Sequence, residues 1–348
     1  MKKAPGKECC IMSARTDWIL PDSDDLHATE GGPSPSLFAH IGQFRSVWPA
    51  ARIASVSFDL LVNIPRQIEI FRLMRTPVFR GLRRLDPKLP FKYLSVRYLT
   101  TTFDLATRAS CFLHHYRRLK IDIQDSFLRR IMLGNVPLFE MRDGGHSLQV
   151  SIGLETTCGQ EGELSLNYLV DGEAVFILSF TIVPGWTVGS ARPDVLLISR
   201  IQGTKGCYRQ ISLAMKTFHN VAPPAVLLAA AQGVACALGI GEIASVSAAI
   251  QICYAPEFVD VLTTAYDDFF AELGIAKNAK GFFLTPVPIE DKPLAVIKKG
   301  HKLRTREKRE FKRQITDEVT RLLSERPAVS AEPSRADRTV HIAVAVES

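Results

Sequence analysis

Residues 162–185 read GELSLNYLVDGEAVFILSFTIVPG, and this stretch decides the fold. Two runs rich in Val, Ile, Leu, Phe and Tyr, a composition that suits a pleated, packed surface, flank Asp171-Gly172. A tight hairpin turn needs positive φ at its central residues, which Asp-Gly tolerates, so the stretch predicts an antiparallel hairpin. Working outward, SLQVSIGL (147–154) and VLLISRIQG (195–203) are strands of the same kind. The apolar period changes to that of strands at Gly144-Gly145.

Downstream the order is helix, helix, strand, helix, strand. The segments are YRQISLAMKTF (208–218), PPAVLLAAAQGVACALG (223–239), EIASVSAAIQICY (242–254), VLTTAYDDFFAELG (261–274) and GFFLTP (281–286). A meander followed by strand–helix–strand crossovers predicts one mixed sheet covered by helices, an α/β class of the α+β kind. Residues 220–241 carry no charge and have nearly the length of a membrane span. They are rich in Ala and Gly, open on Pro223-Pro224 and contain Gln232, which favours a buried core helix ending near Gly239.

Upstream, residues 37–133 carry apolar residues at three- and four-residue spacings, cut into short helices by Pro65, Pro77, Pro87 and Pro90. The expected organisation is a disordered tail over 1–36, a basic helical region over 37–140 and a mixed-sheet core over 141–297. A basic C-terminal helix over 298–324 and a disordered end over 325–348 complete it.

The 348 residues carry a formal charge of +7, unevenly spread. Residues 66–130 hold 15 bases against 5 acids, and 298–313 hold 9 against 2, so the rest of the chain is acidic. Composition at 46% hydrophobic and 23% charged excludes a wholly disordered or fibrous chain. Seven cysteines without a C-x-x-C pair fit reduced thiols better than a disulfide framework or a zinc site. The start MKKAPGKECCIM has no apolar run of signal length. A cytoplasmic location, peripheral at the inner membrane, is the expectation. The eight histidines show no H-x-x-x-H or H-E-x-x-H spacing, and no G-x-S-x-G elbow is present, so no metal or hydrolase motif emerges.

Several blocks resemble the VirK/YbjX family of bacterial proteins. They include HHYRRL (114–119), GGHSLQVSIGLE (144–155), residues 162–185 quoted above, LLISRIQGTKG (196–206), YDDFFAELG (266–274) and KPLAVIKKGHKLRTREKR (292–309). The resemblance covers about 40–320. It implies a role in Gram-negative envelope homeostasis and virulence, including tolerance of cationic antimicrobial peptides, and no established reaction. Within those blocks, His115 and Tyr116 match the family.

The element order also looks like a GNAT-type N-acyltransferase. That likeness implies acyl-coenzyme A as a cofactor, held at Arg200, Gln202, Gly203, Lys205, Gly206 and Arg209, where a strand turns into a helix and backbone N–H groups can meet phosphate. It departs from the usual Q/R-x-x-G-x-G/A loop, and Phe270 stands where a general-acid tyrosine often lies. Tyr266, one turn earlier, is the catalytic candidate. Glycines that only permit a tight turn are the simpler account of the loop.

The second candidate surface is the basic run. Lys298, Lys299, His301 and Lys302 lead into Arg304, Arg306, Lys308 and Arg309. As a helix these cations surround the cylinder and attract phosphate of an anionic lipid or a phosphorylated envelope precursor. Aromatic interleaving is confined to Phe311, and no nucleic-acid-binding signature is present, which disfavours nucleic acid. A solvated basic helix explains the same residues without a partner.

Overall fold

The computed structural model describes residues 63–155, 159–204, 206–291 and 293–325, with the paired dipeptides Met12–Ser13 and Asp17–Trp18. The tail expected over 1–36 lies outside these residues apart from the dipeptides, and the one over 325–348 apart from Glu325.

Of the region expected to be basic and helical, residues 37–62 lie outside the described residues, and helices dominate from Ile64 to Leu133. The elements are α1 (Ile64–Met74), α2 (Pro77–Leu85), a 3-10 segment (Leu89–Leu94), α3 (Leu105–Asp122) and α4 (Asp125–Leu133). Proline opens α1, α2 and the 3-10 segment, where its missing N–H and fixed φ suit a first turn. Asp104 caps α3 by accepting the Thr107 amide at 2.8 Å.

Seven strands form one sheet in sequence order: β1 (Val136–Asp143), β2 (His146–Leu154), β3 (Leu164–Val170), β4 (Glu173–Pro184), β5 (Asp194–Gly203), β6 (Glu242–Val246) and β7 (Phe282–Pro286). Every pairing is antiparallel except β5 with β6. The mixed sheet is as expected. Asp171 (φ 53°) and Gly172 (φ 87°) make the β3–β4 turn. Strand β1 is a correction in its first five residues, because Val136 to Glu140 fall inside the region expected to be helical. Gly144 (φ 54°) and Gly145 (φ 81°) form a second tight turn, so the glycine pair joins two strands instead of opening the first.

Helices α5 (Tyr208–Thr217) and α6 (Pro223–Ala237) join β5 to β6. A composite helix, α7, joins β6 to β7 through Val259–Leu262, a π-turn at Thr263–Asp268 and Phe269–Glu272. The last helix, α8, is Lys302–Ser324. Among the described residues no helix is long and apolar enough to cross a membrane. Instead α6 is a core helix against which α8 packs: a Cβ on Gly233 would lie 2.7 Å from both the Thr316 carbonyl oxygen and Val319 Cβ. Thr316 and Thr320 donate their hydroxyls to the carbonyls of Ala229 (2.9 Å) and Gly233 (3.2 Å). Phe311 meets Phe139 of β1 edge to face, so the helix pair also seats on the sheet.

Candidate functional site

The register sets an apolar row beside a polar one. Ile152, Leu166, Leu178 and Ile201 pair across β2–β5 and are buried. One residue along, and therefore on the other face, the row is Gly153, Ser165, Ser179 and Arg200. Polar residues at every second strand position ordinarily face water. Here Ser165, Ser179, Asn167 and Gln202 are all buried, and the Arg200 side chain is 0% exposed.

Two acids of the β2–β3 connection neutralise Arg200. Its Nη1 lies 3.7 Å from Glu155 Oε1 and its Nε 3.3 Å from Glu161 Oε2. The same Nε donates to Gln202 Oε1 at 3.1 Å, Ser179 donates to Glu155, and Gln251 donates to Glu161 at 2.6 Å. Buried charges persist when paired and hydrogen-bonded in this way. Arg200 and Gln202 thus belong to an internal network and are not presented to a bound phosphate.

Beside that network, β5 and β6 pair only from Leu196 to Ile198, opposite Ile243 to Ser245. A bulge at Ser199 follows, and β5 runs on to Gly203 without β6. Tyr266, from the π-turn of α7, fills the gap: its hydroxyl accepts from the Ile201 main-chain N–H at 3.4 Å and from the Gln202 side-chain Nε2 at 3.5 Å. It is fully buried, and burial followed by the Glu161 charge raises its pKa, holding the phenol protonated. Phe270, expected on the same face, instead stacks on Phe283.

The proposed phosphate loop is shorter than the sequence suggests. Gln202 and Gly203 are still in β5, paired with Ile177 and Phe176. The Thr204 amide is given to Val175 and the Cys207 amide to Thr204. Gly206 takes a left-handed φ of 81°, Arg209 is exposed, and Lys205 lies outside the described residues.

A second buried centre gathers round Glu163. Tyr98 donates to Oε1 at 2.7 Å, Tyr116 donates to Oε2 at 2.5 Å, and Lys92 Nζ lies 3.2 Å from Oε1. Burial, then the Glu163 charge, pushes both phenols well above their usual range. His115 accepts the Ile182 amide, which β4 carries past the end of β3, at Nδ1 and 3.1 Å. Burial, then Lys92 and His114, holds its pKa well below the ordinary value. The matched pair His115 and Tyr116 is thus structural machinery at the strand ends. Sequence reasoning passed over Glu155, Glu161 and Glu163; three acids within one short connection between strands were the available signal.

The basic run divides in two. From Phe311 onward α8 is core, with Phe311, Ile315 and Val319 buried. The approach to α8 and its first turns are surface: Lys298 and His301 before the helix and Lys302, Arg304 and Arg306 within it are exposed, Lys308 and Arg309 half-buried. The side chain of Lys299 lies outside what is described. Asp291 reaches Arg309 at 3.5 Å and Lys312 at 3.2 Å. Partial burial, then the charges of Arg304 and Lys312, lowers the Lys308 pKa. The first turn contains no acid.

Compared with family models, the chain matches one described as a protein of unknown function (DUF535) over residues 57–321. No curated protein and no solved structure matches it. The matched span holds both buried polar centres, the β5–β6 gap and nearly all of α8, and on that extent the chain belongs to the DUF535 family.

Proposed function

We propose that this chain is a binding protein that holds an anionic, phosphate-bearing lipid surface on the exposed start of α8, serving the envelope-supporting role that the resemblance to VirK/YbjX proteins implies. The observation that carries the reading is the loading of a helix N-terminus with cations. That end of a helix carries a partial positive charge, so anions stabilise it and cations oppose it, each by about 0.3–1 kcal/mol at low ionic strength. Arg304, Lys308 and Lys312 also stand four apart, and each such like-charge pair costs about 0.2–0.5 kcal/mol. A phosphate surface relieves both strains at once. Leu303, 68% exposed between Lys302 and Arg304, adds an apolar side chain suited to the lipid boundary and not to a free polyanion. On this reading the protein is cytoplasmic and peripheral at the inner membrane. Co-sedimentation with anionic and neutral vesicles tests it, with DNA and RNA as competing ligands.

A second reading keeps an acyltransferase using acyl-coenzyme A. Its support is the separation of β5 from β6 after Ile198 and Ser245. It requires Tyr266 and Gln202 to leave the gap they now fill. Thermal unfolding with saturating acyl-coenzyme A tests it.

A further inference from the structure

The two ring nitrogens of His115 meet different surroundings. Nδ1 accepts the Ile182 N–H, and an imidazole nitrogen that accepts carries no proton, so the proton of the neutral ring is on Nε2. Among the described residues that buried Nε2–H has no acceptor. Such an orphaned donor costs about 1–3 kcal/mol.

The Glu163 carboxylate has the complementary surplus. Each oxygen offers two acceptor positions. Oε1 takes Tyr98 at 2.7 Å and Lys92 at 3.2 Å, whereas Oε2 takes Tyr116 alone at 2.5 Å. One acceptor position on Oε2 is left. His115, Tyr116 and Glu163 all line one small cavity of about 10 Å³, lined otherwise by apolar side chains such as Phe79, Leu128 and Ile131. That is the room of one water, and a buried water needs at least two polar partners.

We propose that this cavity is a single-water site, in which the water accepts from His115 Nε2–H and donates to Glu163 Oε2. The water joins α3, β4 and the β2–β3 connection into one hydrogen-bonded chain running from the Ile182 amide through His115 to Glu163, Tyr98, Tyr116 and Lys92. It binds one molecule and rejects anything larger, so it is a structural ligand and not a substrate.

The test is histidine-selective ¹⁵N NMR of the full chain, joined to a high-resolution crystal structure. The expected result is the Nε2–H tautomer at His115, a water-to-Hε2 cross-peak, and one density peak within hydrogen-bond distance of both Nε2 and Glu163. In His115→Asn the carbonyl still accepts from Ile182, but the shorter side chain places no N–H at the Nε2 position, and the density peak beside Glu163 is lost. An Nδ1–H tautomer, or a cavity without density or cross-peak, overturns the proposal. The measurements on the unaltered protein decide it even where the variant does not fold.

Discussion

The hydroxyl of Tyr266 stands 3.4 Å from the main-chain nitrogen of Ile201, taking the place of the strand carbonyl that β6 no longer supplies. A phenol from a π-turn thereby completes a sheet edge that would otherwise bury unpaired amides. Tyr266→Phe is expected to destabilise the protein by about 1–3 kcal/mol, because it leaves the Ile201 donor buried and unmet. Tyr266→Ala adds a cavity and is expected to cost about 3–5 kcal/mol, on the scale of other buried aromatic truncations. Urea unfolding of both variants measures these values.

The same geometry bears on acyl-coenzyme A. A ligand at 100 times its dissociation constant that binds only the folded state adds about 2.7 kcal/mol of stability. With the gap filled, saturating acetyl- or long-chain acyl-coenzyme A is expected to leave the melting temperature unchanged. A clear upward shift would show that Tyr266 yields its place and would favour the acyltransferase reading.

Gly233 offers a test of how firmly α8 is seated. In an exposed helix interior, Gly→Ala stabilises by up to about 1 kcal/mol. Here the added Cβ meets the Thr316 carbonyl and Val319, both at 2.7 Å, and backbone cannot give way cheaply. Gly233→Ala is therefore expected to reverse the sign and destabilise by about 1–3 kcal/mol, read by denaturant unfolding.

The strands flanking Asp171-Gly172, the long apolar helix and the mixed sheet were legible because each rests on local signals: period, turn chemistry and Pro-Pro at a helix start. Strand β1 was not, because Pro137, Glu140 and Arg142 blur its alternation and it lies at a sheet edge where only one side is packed. The buried network was hidden for the opposite reason. Ser165, Asn167, Ser179 and Arg200 have the alternation of a wet face, and only tertiary cover distinguishes a wet face from a buried polar one. The two roles of the basic run follow from Phe311, Ile315 and Val319, whose spacing was visible while their packing against α6 was not.

His115 makes stability depend on pH in a defined direction. Its folded pKa lies well below the ordinary value, because burial, Lys92 and His114 all oppose a positive ring. The unfolded chain takes up the proton near pH 6.5 and the folded one does not. Stability from this group is therefore complete above about pH 6.5 and falls as the pH drops below it, by up to about 1.4 kcal/mol per unit. His114 acts in the same direction, since burial outweighs the pull of Asp194. Urea unfolding between pH 7.5 and 5 is expected to show this decline, with a shallower slope in His115→Asn.

The proposed function places an anionic surface on the cation-loaded start of α8. Its most direct measurement is co-sedimentation of the full chain with anionic and neutral vesicles at low and high salt, beside the variant Lys298→Gln, Lys302→Gln, Arg304→Gln, Arg306→Gln. These four side chains are exposed and stand before the buried stripe of α8, so the variant is expected to keep the fold. The unaltered protein is expected to pellet with anionic vesicles at low salt, release at high salt, and ignore neutral vesicles, while the folded variant stays in the supernatant throughout. Equal binding to neutral and anionic vesicles, or undiminished anionic binding by the variant, would contradict it.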